Sequence, residues 1–324
     1  MLTKSNYFNL INAANIASGL FENRYVNSIE KFEKFKNIDL GLPMLLQADR
    51  DVFNFSEDNT FTIPENSLLE TIYNLTDRNY VGFKHSFKTN KFLRNFTIQE
   101  KHKKLFQSIV TQNSETLDTI NKLRKIWRRV GAFQTRNIPH SGHEKIIQTM
   151  LLDCDHLVIN PVIGPKKIGD VNIDSLRMIY NFLIKYKYGD RVSFQPIYAN
   201  MFYAGPREAV HHALLRKRLG FDLFSVGRDH AGAEGVYPPE AAPNLVTELK
   251  DTIGIDVMAH QGAAFCTSCN EVIIIGECQH DSGSLQDIAG TSFRKCLRET
   301  RLFELADKKM LEYIYNSKME LFEK

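Results

Sequence analysis

From residue 126 onward the chain alternates short apolar runs with amphipathic helical segments, and this alternation constrains the fold more than any other feature. Strands are predicted at 129–133, 156–160, 192–198, 223–226 and 255–260. Helices are predicted between them at about 143–152, 174–187, 206–219 and 243–253. Strand–helix alternation with short turns implies a parallel sheet covered by helices on both faces, an α/β fold. Such sheets bind ligands outside the carboxyl ends of their strands, so the loops leaving those ends are the ones to read.

Composition divides the chain. Residues 1–125 contain 16 of the 24 Asn but only 3 of the 18 Gly, which suits a packing module more than a ligand site. The expected organisation is an accessory domain at 1–125, a catalytic domain at 126–298 and a short helical extension at 299–324. Within the first part, 6–35 reads as helical, and 40–55 and 70–96 as short strands and turns. The segment 84–104 carries seven Lys/Arg against one Glu, interleaved with Phe83, Phe87, Phe92 and Phe96. We read it as strands with a solvated basic face.

Charge and hydropathy narrow the function classes. Lys+Arg total 41 against 38 Asp+Glu, a net charge of +3, too small for a surface that coats nucleic acid. No stretch approaches the roughly 18 consecutive apolar residues of a membrane span. The N-terminus has no signal-peptide pattern, and five cysteines are too few for a disulfide scaffold. A cytoplasmic protein is expected, with no membrane or nucleic-acid partner.

The first predicted strand ends in Gln134-Thr135-Arg136-Asn137, followed by Ile138-Pro139-His140-Ser141-Gly142-His143-Glu144. A helix begins here, so its free N–H groups and positive dipole end make an anion site. His140 and His143, three apart at a helix start, can both point at a phosphate. Arg136 offers a planar fork for two oxygens of one tetrahedral oxyanion. Gln134, Thr135 and Asn137 add neutral donors. A second loop, Gly227-Arg228-Asp229-His230-Ala231-Gly232, leaves the strand at 223–226 with another Arg and another His, although Arg228 and Asp229 could simply pair. Between the two, Pro206 opens a helix in which His211 and His212 read as packing or surface groups rather than ligands.

Cys266-x2-Cys269-x8-Cys278-x-His280 supplies three thiolates and an imidazole, the complement for tetrahedral Zn²⁺. Four protein ligands leave no open position, so the zinc would be structural. Cys154 and Cys296 read as buried small hydrophobes.

These pieces, in this order from Trp127 to Arg298, resemble ATP sulfurylase (sulfate adenylyltransferase), a family of the His-x-Gly-His nucleotidyltransferase superfamily. The resemblance covers Phe133-Gln-Thr-Arg-Asn137 with His140 and His143, Tyr203-Ala-Gly-Pro-Arg-Glu-Ala209, Gly227-Arg-Asp-His-Ala-Gly232 and Gly290-Thr291-x-x-Arg294. The cysteine cluster is similar to the zinc knuckle of many bacterial members.

The resemblance implies a Rossmann-like nucleotidyltransferase core with a PUA-like, β-rich N-terminal domain. It implies the reaction of ATP with sulfate to give adenosine 5′-phosphosulfate and pyrophosphate. Gln134 and Arg136 would hold sulfate, helped by the backbone N–H of Ala231. Thr135, Arg136 and Asn137 would line the reacting centre, and His140, His143 and Arg228 would neutralise charge on the α-phosphate and pyrophosphate. Gln134, Asn137, both histidines of that loop, Gly227, Arg228, Asp229, His230 and a backbone contact near Ala264 would seat the nucleotide. Mg²⁺ would accompany ATP. The partners implied are a downstream consumer of the product or a pyrophosphatase, and further copies of the chain in a homo-oligomer.

The chain departs from the family pattern at Ile138, where Pro is usual, at Ser141, often Arg, at Asn160, commonly His, and at Ala289, commonly Ser. Two other readings stay open on the residues themselves. One is an adenylyltransferase with a different anionic acceptor, and the other is a non-catalytic protein that binds nucleotides or nucleic acid.

Overall fold

The computed structural model describes residues 3–38, 40–77, 79–165, 169–230, 235–288 and 290–323. Five strands form one parallel sheet: β5 (Val130–Phe133), β6 (His156–Ile159), β8 (Val192–Phe194), β10 (Leu223–Val226) and β11 (Asp256–Ala259). They lie in the order β11-β10-β5-β6-β8. Every pair is parallel, with Val130 opposite His156, Leu157 opposite Val192, and Leu223 opposite both Gly131 and Asp256. The chain leaves the central β5 toward β6 and β8, then returns to its other side for β10 and β11. The order reverses between β5 and β10, and the crevice above their carboxyl ends is where doubly wound sheets hold ligands.

All residues of β5, β6 and β10 are buried. Successive side chains of a strand point to opposite faces. Phe133, Leu157, Ile159 and Leu223 accordingly pack with Ile147 and Met150 of α6 (Ser141–Asp153) and with Ile179 and Leu183 of α7 (Ile173–Leu183). Val130, Ala132, Val158, Phe224 and Val226 join the opposite core, with Val210 and Ala213 of α8 (Pro206–Leu219) and Val246 of α9 (Ala241–Glu248). Full burial of one such side chain contributes about 1.5–3 kcal/mol, so each strand is anchored on two sides.

One expected strand divides. The stretch 192–198 forms β8 and then β9 (Ile197–Tyr198), which pairs in parallel with β7 (Val162–Ile163) outside the main sheet. Pro196, which has no N–H for a ladder, stands at the break.

The first part of the chain differs more from expectation. The helical stretch expected at 6–35 is two helices, α1 (Lys4–Ala17) and α2 (Ile29–Ile38). Gly19, with φ of +73°, ends the first by turning left-handed. Strands β1 (Phe53–Asn54) and β4 (Thr97–Ile98) pair antiparallel, as do β2 (Thr60–Thr62) and β3 (Lys91–Leu93). Much of the expected strand region at 70–96 is helical instead: α3 (Glu65–Leu68) runs into a widened turn at Leu69–Tyr73, and α4 (Val81–Ser86) follows. Leu68, Leu69, Ile72 and Tyr73 are buried at helical spacing, which overrides their strand propensity. In the basic segment, Phe83, Phe87 and Phe92 are core residues, while Lys91 pairs with Glu57 and Lys101 with Asp51. Three of its four aromatics are therefore not available as a stacking surface.

Helix α5 (Lys103–Ile126) joins the two parts and enters β5 directly through Trp127. Its buried face includes Asn113, whose amide donates to Asn15 (2.7 Å) and the Tyr198 carbonyl (3.1 Å) and accepts from the Tyr198 N–H (2.9 Å). Polar side chains thus tie α1 and β9 to this helix through satisfied hydrogen bonds. Beyond β11, the short α10 (Lys250–Ile253) having preceded it, strands β12 (Ala263–Cys266), β13 (Glu271–Ile274) and β14 (Leu285–Asp287) make a small antiparallel sheet. Helices α11 (Gly290–Arg298) and α12 (Lys308–Ser317) pack Phe293, Met310 and Ile314 onto the α6–α7 face. Among the described residues, no helix is long and apolar enough to cross a membrane.

Candidate active site

A cleft of about 360 Å³ opens above the β5/β10 crevice. Gln134, Thr135, Arg136, Asn137, His140 and His143 line it from the loop after β5, and Gly227, Arg228, Asp229 and His230 from the loop after β10. Ten of the expected site residues, far apart in sequence, therefore share one cavity.

The first loop is shaped by its own hydrogen bonds. The Thr135 hydroxyl is buried and accepts from the Asn137 N–H at 3.1 Å, which tightens the turn. His140 caps α6: its Nδ1 accepts from the Gly142 N–H at 3.2 Å, and the His143 Nδ1 faces the His140 N–H at 3.4 Å. A neutral imidazole that accepts through Nδ1 carries its proton on Nε2. Both rings can therefore offer Nε2–H donors. Ser141 opens the helix, and its N–H donates to the Leu305 carbonyl at 2.8 Å.

The second loop relies on a glycine. A Cβ at Gly227 would lie 2.8 Å from Cε1 of His260, so no larger residue fits beneath that ring. Asp229 has φ of +55° and donates its N–H to the Pro239 carbonyl, and its carboxylate makes no ion pair with Arg228. Arg228 instead meets Asp287 of β14 at 3.1 Å, and both side chains remain exposed. An incoming anion can compete for that guanidinium at small cost, since exposed pairs contribute about 0–1 kcal/mol. Arg136 is exposed at the rim.

Two further expected residues are not among these ten. Ala264 is buried in β12, opposite Ile273 and Asp287, and its neighbour Ala263 lines the cleft. Ala231 lies outside the described residues. Of the two lone cysteines, Cys154 is buried and Cys296 only half-buried.

Sequence reading missed His260, Asp287 and His212. His260 follows β11 at the carboxyl edge of the sheet and lines the cleft, so the strand-end rule that selected the other loops could have found it. Ser225 and His260 lie 3.0 Å apart, which looks like a nucleophile and base. However, His260 Nδ1 accepts from the Gly262 N–H at 3.1 Å, so Nε2 bears the proton and donates to the serine. The pair is not poised to activate Ser225. His212 is fully buried under the cleft and touches Gln134 at 3.2 Å and His230 at 3.0 Å. Asn160, at the end of β6, accepts from Nε of the buried Arg216 at 3.0 Å through its side chain and from Nη2 at 2.8 Å through its carbonyl.

Burial keeps the site histidines neutral. It lowers His140 and His260 to about 4 and His230 to about 3, and holds His143 and His212 well below the usual range. An unfolded histidine titrates near about 6.5, so below that pH the unfolded chain binds more protons and stability falls with falling pH. Glu208 opposes this: burial raises its carboxyl to about 7, and its stabilising contribution is lost as pH rises through that value. The rings outnumber it. The urea midpoint is therefore expected to fall steadily from about pH 6.5 to about pH 4.5. A midpoint that stays level across that window would mean the rings are charged in the folded protein.

The Sγ and imidazole nitrogen atoms of Cys266, Cys269, Cys278 and His280 lie within 4.8 Å of one another. His280 Nδ1 is 3.5 Å from Cys266 Sγ and 3.3 Å from Cys269 Sγ, and the Cys266 and Cys278 sulfurs are 3.9 Å apart. Ligands about 2.3 Å (S) and 2.0–2.1 Å (N) from one tetrahedral zinc stand roughly 3.5–3.8 Å from each other. The cluster could hold such a metal with little rearrangement.

Comparison with known proteins places these features. The family model described as ATP-sulfurylase matches residues 108–304. A sulfate adenylyltransferase of Staphylothermus marinus is 30% identical over 325 residues, covering 90% of this chain and 84% of that protein. One from Pyrococcus abyssi is 32% identical over 257 residues, with 78% and 67% covered. One from Ignicoccus hospitalis is 41% identical over 177 residues, 54% of this chain but 46% of that protein. Among solved structures, a hexameric APS kinase from Thiobacillus denitrificans superposes with a TM-score of 0.60 at 14% identity, over 96% of this chain and 62% of that one. That last likeness speaks to the fold alone.

Proposed function

Because the chain belongs to the ATP-sulfurylase family, we propose that it is a sulfate adenylyltransferase, transferring the adenylyl group of ATP to sulfate with release of pyrophosphate. The observation that carries the reading is the meeting of the Gln134–His143 and Gly227–His230 loops over one cleft at the β5/β10 switch point.

The chemistry asked of these residues is modest. Sulfate is fully ionised at neutral pH, so its attack needs no general base. The step requires two anions to be brought together in line and the charge of the transition state to be stabilised. Arg136 and Gln134 hold sulfate, with the Ala231 N–H as a further donor. Thr135 and Asn137 shape and line the reacting centre. His140 and His143, kept neutral by burial, donate Nε2–H bonds to the α-phosphate and the departing pyrophosphate. Arg228 exchanges Asp287 for phosphate oxygens. Gly227, Asp229, His230 and the backbone near Ala264 seat the nucleotide. ATP would bring Mg²⁺, which would compensate phosphate charge.

Cys266, Cys269, Cys278 and His280 would hold a structural Zn²⁺ in this reading, as in the zinc-knuckle type of the family, and would thereby be tied together beside the β12–β14 sheet. Residues 1–125 form a PUA-like accessory domain, 126–298 the catalytic domain and 299–324 a helical extension. A cytoplasmic homo-oligomer fits the same reading. A consumer of adenosine 5′-phosphosulfate or a pyrophosphatase would draw the reaction forward.

The deciding experiment measures pyrophosphate release from ATP across a panel of oxyanions and organic acids. Release that depends on sulfate supports the reading. Release that proceeds equally well without sulfate, or only with another acceptor, overturns it.

A further inference from the structure

Beneath the cleft, three side chains meet at a single lone pair. His212 Nδ1 lies 3.2 Å from the Gln134 side-chain nitrogen and 3.0 Å from His230 Nε2. An amide nitrogen only donates, so His212 Nδ1 must accept, and the His212 proton then resides on Nε2. Glu208 favours that tautomer. Its carboxylate is fully buried, accepts the Phe202 and Ala204 N–H groups at 2.8 and 2.9 Å, and stands 3.5 Å from His212 Nε2. At 3.5 Å the last contact acts more by charge than as a strong hydrogen bond. His230 Nε2, facing the same lone pair, is then also a donor, and the two donors compete for that one lone pair.

The consequence falls on Gln134. One N–H of its amide is tied to His212, and its Oε1 is buried without a hydrogen-bond partner. The amide oxygen is thereby withheld from the cleft, and only the donor side of the group remains for a ligand. Were the amide to flip, its oxygen would confront the lone pair of His212, a repulsive contact in a dry setting.

We propose that His212, set by Glu208, is a positioning residue that turns the Gln134 amide donor-first toward the acceptor and so selects an oxyanion carrying no proton: sulfate in preference to hydrogen phosphate. This rests on the sulfate adenylyltransferase reading. Hydrogen phosphate brings an O–H that needs an acceptor, and the two groups that hold the oxyanion in this reading, the Gln134 N–H and the Arg136 guanidinium, only donate and leave that proton unpaired. Discrimination by an unpaired polar group is far stronger than discrimination by size. Sulfate and hydrogen phosphate are nearly the same size, so size alone would not separate them.

The test uses the full chain at pH 8, comparing wild type with His212→Ala and His212→Asn. Asn places its Oδ1 near the position of Nδ1 and restores the acceptor. Removing a hydrogen bond that orients a group toward a charged ligand is expected to raise the sulfate KM about tenfold in His212→Ala. The inhibition constant of inorganic phosphate against sulfate should fall, the ATP KM should hold within about twofold, and His212→Asn should recover most of the sulfate KM. An unchanged ratio of sulfate KM to phosphate inhibition constant in His212→Ala overturns the proposal. So does a loss spread equally over ATP, sulfate and kcat that Asn does not rescue. If His212→Ala does not fold, nitrogen-15 NMR of the wild-type histidines decides: a bare Nδ1 on His212 supports the proposal, and a protonated Nδ1 overturns it. A wild type with no sulfate-dependent pyrophosphate release would defeat the catalytic reading alone, while the NMR result still reports on the tautomer.

Discussion

Arg136→Ala is expected to lower kcat/KM for sulfate by about a thousandfold with the fold intact, because one preorganised donor to developing charge is worth about 10²–10³ in rate and this one also carries full charge. The neighbouring histidines are held neutral by burial, so among the described residues that line the cleft the fixed positive charge comes from Arg136 and Arg228. Arg228 already shares its charge with Asp287, which leaves Arg136 as the main cation for the incoming oxyanion. The residue is exposed, so its removal leaves no void and the melting temperature should move by no more than about 2 °C. Arg136→Lys should recover only part of the rate, since a point charge cannot grip two oxygens at once. Steady-state pyrophosphate release with varied sulfate measures both variants. Retention of more than about a tenth of wild-type activity by Arg136→Ala would remove Arg136 from the centre of the chemistry.

Removal of the proposed zinc is expected to have the second large effect. Structural zinc sites carry apparent binding free energies on the order of 10 kcal/mol, more than a three-stranded sheet of this size could supply by itself. The sheet beside the cluster also borders the cleft: Ala263 of β12 lines it, and Asp287 of β14 pairs with Arg228. Chelation, or Cys266→Ser, is therefore expected to lower the melting temperature by at least about 5 °C and the activity by at least about tenfold. Elemental analysis should find one zinc per chain before treatment. A metal-free chain that melts and turns over like the untreated protein would show that the three thiols and His280 are only neighbours.

The parallel sheet could be read from the sequence because strands buried on both faces are written as continuous apolar runs, as in Leu157-Val158-Ile159 and Leu223-Phe224-Ser225-Val226. The cysteine cluster was legible for a similar local reason, since a chelate needs its ligands close in sequence. Residues 69–86 were not, because Leu, Ile, Tyr and Phe there serve helices and strands equally well until their packing partners are known. His212, read as a packing or surface group, is indeed buried, and its contacts with Gln134 and His230 were not legible for the same reason. A histidine inside a helix has no local signature that separates a packing group from one that orients a ligand contact.

By itself, then, the sequence determined the alternation of strands and helices, the strand ends where chemistry could sit, and the residue types placed there. These are properties of neighbours along the chain, governed by backbone periodicity and local hydrogen bonding. Only the tertiary structure decided that β10 returns to the far side of β5, which brings Arg136 and Arg228 over one crevice. It also decided that the histidines beside them are neutral, that Arg228 answers to Asp287, and that His212 reaches Gln134 from beneath. Desolvation and contacts between residues 78 or 59 positions apart set those states, and no local pattern encodes them.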